Sequence, residues 1–186
     1  MPYEIARYAG FCSGVRSAME KAEAAASAAR EQGIPCVMLG ELIHNQAALE
    51  PLLRLGVRVI RTVDEAPRGA VILLRSHGEP PETYEECARR NLTVVDTTCA
   101  FVSALHELIR EQAQKGLPIL LMGDQEHPET RASAGYGKGR VFVVSDEKDL
   151  AALPPLTKPL IVAQTTYPPQ KWAETQPTLT KLFPDL

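Results

Sequence analysis

The sequence predicts an α/β fold of two similar lobes, each a small parallel sheet flanked by helices. Short apolar segments alternate with longer amphipathic ones along the whole chain, which is typical of parallel sheets with helical crossovers. Polar residues follow these apolar segments. A polar group at the end of a buried strand costs free energy unless it binds a partner there. The order of segments occurs twice, with Cys12 and Cys99 in matching places. We therefore expect two pseudo-symmetric units whose polar strand ends serve one centre.

The first lobe, residues 1–96, has the clearer pattern. An Ala- and Glu-rich stretch favours its first helix, Gly56 ends the second, and Pro81 suits the start of the third. Its strands are predicted at Tyr3–Ala9, Pro35–Leu39, Val57–Ile60, Ala70–Leu74 and Thr93–Asp96. Its helices are predicted at Gly14–Gln32, Asn45–Leu55 and Pro81–Arg90, with a helical turn at Val63–Ala66.

The second lobe, residues 97–186, repeats the order less regularly. Gly116 ends its first helix, and the prolines at 168 and 169 mark a break before its last. Its helices are predicted at Val102–Gln114, Glu129–Ala134, Asp146–Ala152 and Lys171–Phe183. Its strands are predicted at Pro118–Met122, Val141–Val144 and Leu160–Ala163. We expect the two lobes to divide near Asp96.

The composition allows a real core and indicates no polyanionic partner. The chain has 186 residues, 45% of them hydrophobic, and a formal net charge of −3. This mild charge gives no reason to expect DNA, RNA or an anionic membrane surface as partner. No apolar run approaches the ~20 residues of a membrane span, and the N-terminus is unlike a secretory signal. We therefore expect a cytoplasmic protein.

The four cysteines are unlike a disulfide framework, and two of them, Cys12 and Cys99, point to metal. We expect Cys36, in a predicted strand, to be a buried apolar residue and Cys87, on a polar helix, to be incidental. Cys12 and Cys99 each follow a strand and precede an amphipathic helix, where the helix N-terminus favours negative charge. Gly14 suits a tight turn beside Cys12. Two thiolates do not complete a four-iron cluster, so a third ligand, a second chain or a further segment is required.

Three histidines, His44, His77 and His127, also follow predicted strands. A lone histidine at a strand end is usually a structural residue with a hydrogen-bond partner. Three converging imidazoles, in contrast, can bind a metal or a phosphate. The fourth histidine, His106, is predicted on an exposed face of its helix.

Glu129 and Thr165 are the candidates for proton and hydroxyl chemistry. Glu129, two residues after His127, can deliver a proton at that site, or it can be a carboxylate favoured by the helix dipole. Thr165 and Thr166 can hydrogen-bond a hydroxyl or a phosphate, or cap the next helix. On the residues alone these alternatives stay open.

Six ordered motifs give the chain a resemblance to a known family. The motifs are Gly10-Phe11-Cys12-x-Gly14-Val15, Ile43-His44-Asn45, Arg75-Ser76-His77-Gly78, Asp96-x-Thr98-Cys99, His127-Pro128-Glu129 and Gln164-Thr165-Thr166. In this order and spacing they resemble the LytB/IspH family, over almost the whole chain. Its members are the 4-hydroxy-3-methylbut-2-enyl diphosphate reductases of the non-mevalonate isoprenoid pathway.

The resemblance implies an iron–sulfur oxidoreductase that removes the allylic hydroxyl of its substrate and gives isopentenyl and dimethylallyl diphosphate. It implies a [4Fe–4S] cluster held by Cys12 and Cys99, and a catalytic site made of Glu129, Thr165 and His127, with Glu129 relaying the proton. It implies an external electron donor such as ferredoxin or flavodoxin. The residues that it implies for binding the diphosphate substrate are His44, Asn45, Ser76, His77, His127 and Thr165.

The resemblance covers two of the family's three lobes. The third lobe, with a third cysteine and the serine and asparagine that close over the diphosphate, is absent from this sequence. Three hypotheses follow: a reductase completed by a separate chain or by a second copy in a homodimer; a non-catalytic or electron-transfer protein whose cluster is shared by two chains; or an incomplete fragment of the reductase. A zinc hydrolase is disfavoured, because no closely spaced ligand pair occurs.

Overall fold

The computed structural model describes Glu4 and residues 9–184. Two parallel β-sheets flanked by helices make up this part of the chain, as the sequence predicts. The predicted first strand, Tyr3–Ala9, lies outside the described residues except for Glu4 and Ala9. In the described part, every helix is too short or too polar to span a membrane.

The other predicted helices and strands all form, with ends within a few residues of the expected ones. The strands β1 to β7 span Cys36–Leu39, Arg58–Ile60, Val71–Leu74, Thr93–Asp96, Ile119–Met122, Val141–Val144 and Leu160–Ala163. The helices α1 to α7 span Ser13–Glu31, Gln46–Arg54, Pro81–Arg89, Ala100–Gln114, Pro128–Gly135, Glu147–Ala151 and Pro169–Leu182, and a 3₁₀ turn spans Val63–Glu65. The last helix begins earlier than predicted because Pro169 lies in its first turn, where a proline loses no helical hydrogen bond.

The first sheet has the strand order β2-β1-β3-β4, and all neighbouring strands are parallel. β1 and β3 are buried along their whole length, which is typical of central strands in a parallel sheet. Met38 and Leu73 of these strands pack with Ala22 of α1 and Leu52 of α2 in one core. The small alanines on this face of α1 let the helix approach the sheet closely.

The second sheet has the order β6-β5-β7, again with parallel neighbours. Its central strand β5 is completely buried. Leu121 packs with Ile109 of α4 in one core, while Leu120 packs with Leu150 of α6 and Leu179 of α7 in another. Because successive strand residues point to opposite faces, helices cover this sheet on both sides.

By their contacts the residues form two compact units. The first comprises Met1–Ser76 with Leu92–Cys99, and the second His77–Asn91 with Ala100–Leu186. Residues 77–91 group with the second unit because α3 packs against α5, where Pro80 occupies the space that a side chain on Gly135 would need. The predicted lobes, 1–96 and 97–186, separate the same two sheets, and that boundary stays a prediction.

Candidate active site

In each sheet the strand order reverses at one pair of neighbouring strands. The chain passes from β1 to β2 and then returns to β3 on the other side of β1, and it passes from β5 to β6 and returns to β7 in the same way. In open parallel sheets, ligands bind in the crevice at such a pair, outside the carboxyl ends of the strands. The loops after β1 and β3 in the first sheet, and those after β5 and β7 in the second, are therefore candidate sites, and they carry His44, His77, His127 and Thr165.

Ser76 ties together the loops after β1 and β3. Its backbone N–H and its hydroxyl both donate to the carbonyl oxygen of Leu42, at 3.1 and 3.0 Å. Asn45 caps α2, because its Oδ1 accepts the N–H of Ala48 at 3.2 Å. His44 precedes this cap on the loop after β1. Ser76 and Asn45 thus have structural tasks, and their roles in binding substrate stay predictions.

Cys12 and Cys99 come together at the N-terminus of α1. Cys12 is the N-cap residue, and its Sγ accepts the N–H of Val15 at 3.5 Å. The Sγ atoms of Cys99 and Cys12 lie 2.7 and 3.9 Å from the position that a Cβ on Gly14 would occupy. Cys12 is exposed and Cys99 is partly exposed. The two candidate metal ligands are therefore neighbours in a place that solvent reaches.

The other two cysteines are core residues. Burial raises the pKa of the Cys36 thiol to about 11. Cys87 on α3, predicted to be incidental, is completely buried. Burial and, after it, the carboxylates of Glu79 and Glu86 raise the pKa of the Cys87 thiol. Since a thiolate is the form that binds metals, both thiols are poor ligands at neutral pH.

Glu129 and Thr165 form a buried pair at the carboxyl ends of β5 and β7. Glu129 is only 2% exposed. Its Oε1 accepts the backbone N–H of Thr165 at 2.6 Å, and its Oε2 accepts the hydroxyl of Thr165 at 2.7 Å. Thr165 does not cap the next helix, whose N-cap residue is Pro168. The helix-capping alternative for Thr165 is therefore wrong, and its role with a hydroxyl or a phosphate stays a prediction.

Gln164 lies next to this pair and links the ends of β5 and β7, a role that was not predicted from the sequence. Its backbone N–H donates to Met122 of β5 at 2.8 Å. Its Oε1 accepts the N–H of Asp124 at 3.2 Å and the hydroxyl of Thr130 at 3.1 Å, and its Nε2 donates to Thr166 at 2.7 Å. The sequence held a signal for this role, because Gln164 directly follows a predicted strand. A side-chain amide buried at a strand end needs several hydrogen-bond partners.

His127 and His77 lie side by side near the start of α5. His127 is the N-cap residue, and its Nδ1 accepts the N–H of Glu129 at 3.2 Å. A neutral ring therefore carries its proton on Nε2, a donor suited to a phosphate oxygen. The ring centroids of His77 and His127 are 5.4 Å apart, with the rings nearly perpendicular. The convergence of His44 on these two rings stays a prediction.

His106 is buried, so the prediction of an exposed residue is wrong. Only 4% of it is exposed, and its ring stacks on that of Tyr136 at 4.3 Å. It also fills the space beside Gly78, where a side chain would collide with the ring. The prediction fails because the buried face of α4 is wider than its apolar positions indicate: His106 adjoins Leu105, and Tyr136 covers it. His106 therefore packs against Gly78, which directly follows His77.

These features define an α/β protein with polar residues at the carboxyl ends of strands in two parallel sheets. More particularly, the chain belongs to the LytB protein family, whose family model matches residues 4–186.

Curated relatives carry the name 4-hydroxy-3-methylbut-2-enyl diphosphate reductase. The reductase of Geobacter sp. (strain M21) is 40% identical over 162 residues, which cover 87% of this chain and 56% of the relative. That of Thermoanaerobacter sp. (strain X514) is 35% identical over 172 residues, which cover 91% and 59%. The chain thus spans somewhat more than half the length of these relatives.

Two solved structures share the fold. The E-1-hydroxy-2-methyl-but-2-enyl-4-diphosphate reductase from Plasmodium falciparum matches 97% of this chain and 56% of its own, with a TM-score of 0.88 and 24% identity. A structure of (E)-4-hydroxy-3-methyl-but-2-enyl diphosphate reductase, called the terminal enzyme of the non-mevalonate pathway, matches 96% and 63%, with a TM-score of 0.80 and 32% identity. Both solved chains extend beyond the part that this chain matches.

Thiol chemistry separates the two pairs of cysteines. We expect iodoacetamide at about pH 8 to label Cys12 first and Cys99 next, and to leave Cys36 and Cys87 unlabelled until the protein unfolds. Peptide mass spectrometry measures the order. The pKa of Cys36 in the folded protein lies above its ordinary value of 9.0. The protonated Cys36 thiol therefore contributes fully to the free energy of unfolding below pH 9.0, and this contribution falls as the pH rises towards 11. Equally fast labelling of Cys36 and Cys12 in the folded protein would contradict this assignment.

Proposed function

We propose that this chain takes part in the reductive removal of the allylic hydroxyl of 4-hydroxy-3-methylbut-2-enyl diphosphate, which yields isopentenyl and dimethylallyl diphosphate in the cytoplasm. We infer the substrate from the name that its relatives carry, 4-hydroxy-3-methylbut-2-enyl diphosphate reductase. The observation that carries the proposal is the buried Glu129, held by both the backbone and the hydroxyl of Thr165 beside His127.

This pair suits the proton transfer that loss of a hydroxyl requires. The hydroxyl of Thr165 donates to Glu129 in the resting site. When Glu129 carries a proton, it is able to give that proton to Thr165 Oγ while Thr165 passes its own to the departing hydroxyl, which leaves as water. The backbone N–H of Thr165 fixes the other carboxylate oxygen, so the carboxyl group cannot turn away.

His127 and His77 suit the diphosphate. The Nε2 proton of His127 follows from the bond that its Nδ1 accepts, and the N-terminus of α5 adds backbone dipoles that favour an anion. His77 adds a second imidazole at 5.4 Å. We extend this binding role to His44, Asn45 and Ser76, which occupy the corresponding loops of the first sheet.

Cys12 and Cys99 fit two of the ligands of an iron–sulfur cluster, which we propose is [4Fe–4S]. The fit rests on two accessible sulfurs beside Gly14, near the N–H groups of the first turn of α1. Such a cluster, when bound, supplies electrons and a Lewis acid. Among the described residues, the remaining cysteines are buried with raised pKa values, so further ligands have another source.

The activity needs further polypeptide. The chain spans 56% of its Geobacter relative, and its second sheet has three described strands where the first has four. The place that corresponds to β4 lies beside β7, where a strand from a separate chain is able to pair. Electrons would come from a small carrier such as ferredoxin or flavodoxin.

A second candidate is an electron-transfer protein with a cluster shared in a homodimer. The observation that favours it is the close pair of thiols, because two copies supply four sulfurs to one cluster. The native mass of the iron-loaded protein separates the two candidates.

His127→Asn tests the anion site. Asparagine keeps an N-cap acceptor for α5 but loses the imidazole donor. We expect the dissociation constant for inorganic pyrophosphate, measured by titration calorimetry, to rise about tenfold or more, which is about 1.4 kcal/mol. Gln125→Ala, an exposed change two residues earlier, is the control and should leave the constant unchanged. Equal affinities for all three proteins would refute the site.

Glu129→Gln tests the proton donor. We expect turnover of the diphosphate substrate to fall about 100-fold or more, because glutamine cannot release a proton, while the iron content stays the same. The matched control is Glu126→Gln, which changes an exposed carboxylate bonded to Arg131. Turnover is measured with the iron-loaded chain under a one-electron reductant, alone and mixed with the part of the Geobacter relative beyond the matched region. Absence of product from the wild-type chain in both assays, or wild-type turnover in the Glu129→Gln variant, contradicts the proposal.

A further inference from the structure

Gly14 is a helical residue whose backbone does not require glycine. It is the second residue of α1, and it is absent from the described glycines with a left-handed φ. The tight turn predicted there from sequence is therefore not the reason for it. Glycine is also a poorer helix former than alanine, so the helix itself gains nothing from it.

The space at Gly14 is taken by Cys99. A Cβ at Gly14 would lie 2.7 Å from the Sγ of Cys99 and 3.5 Å from its Cβ. Carbon and sulfur that are not bonded cannot approach to 2.7 Å, so an alanine here would displace the thiol. The same Cβ would lie 3.9 Å from the Sγ of Cys12, an ordinary contact.

The backbone of Cys99 has little room to retreat. Its N–H donates to the carbonyl oxygen of Ser76 at 3.0 Å. Two residues earlier, the hydroxyl of Thr97 donates to the carbonyl oxygen of Leu74 at 2.6 Å. These bonds fasten the segment to the end of β3, so an added methyl group at Gly14 would move the side chain of Cys99 rather than its backbone. Cys12 is fixed on the other side by the N–H of Val15.

We propose that Gly14 is a positioning residue that sets the separation of the Cys12 and Cys99 sulfurs, so that both bind one metal centre. The proposal deepens the proposed function, because it rests on that pair of thiols as ligands. The proposal predicts that Gly14→Ala weakens metal binding, although alanine is the better helix former.

The probe is Co²⁺ alone, added to the reduced, metal-free protein without oxygen. Thiolate ligands give Co²⁺ a strong charge-transfer absorption, which reports coordination by sulfur. We expect Gly14→Ala to weaken Co²⁺ binding about tenfold or more and to change that absorption. Ser13→Ala, the exposed neighbour in the same helical turn, is the matched control and should bind as the wild type does. Wild-type affinity and an unchanged spectrum in Gly14→Ala would overturn the proposal.

A double-mutant cycle separates a steric conflict from a general defect of α1. In metal-free protein, Gly14→Ala should lower the unfolding midpoint when Cys99 is present and should leave it unchanged or raise it in the Cys99→Ala background. If Gly14→Ala alone fails to fold, recovery of folding by Cys99→Ala supports the conflict. Equal destabilisation in both backgrounds overturns it. These readouts need no reductase activity, so failure of the proposed function leaves them interpretable.

Discussion

The reversal of strand order at the centre of each parallel sheet is the constraint on which the candidate residues at the strand ends depend. Between β1 and β3, and again between β5 and β7, two loops leave the carboxyl ends of adjacent strands and must satisfy their polar groups there. In both sheets, a polar residue after one strand forms hydrogen bonds with the loop or end of the neighbouring strand. Ser76 bonds to Leu42 in the first, and Gln164 bonds to Met122 and Asp124 in the second. Each cross-link fixes a loop that carries a candidate functional residue.

Burial and hydrogen bonding also fix the orientation of the candidate catalytic residues. Glu129 is removed from water yet receives two hydrogen bonds from Thr165, so its carboxyl group has one orientation. His127 receives the N–H of Glu129 and is thereby set as a donor at Nε2. One short stretch, the start of α5, thus orients the proposed proton donor and the proposed anion-binding ring together. In the first unit, the start of α1 does the corresponding work for two sulfurs.

The fold was largely predictable because its signals are local and repeated. Apolar strands such as Ile119–Met122 and capping residues such as Asn45 and Asp146 determine their elements without distant contacts. The candidate site residues were predicted from motifs, and their chemical roles stay predictions. The contacts of Gln164, His106 and Gly14 were not predicted, because their partners come from other elements: Thr130, Tyr136 and Cys99. The grouping of α3 with the second unit likewise depends on a tertiary contact.

Anaerobic reconstitution with iron and sulfide, followed by analysis of both per chain, measures whether Cys12 and Cys99 hold a cluster. We expect equal amounts of iron and sulfide, about four of each for a cluster completed by other ligands or about two for one shared by two chains. We expect both to be lost in Cys12→Ser and Cys99→Ser and retained in Cys87→Ser, whose residue is buried in α3. A wild-type chain that holds no iron, or serine variants at 12 and 99 that hold as much as the wild type, would contradict this expectation.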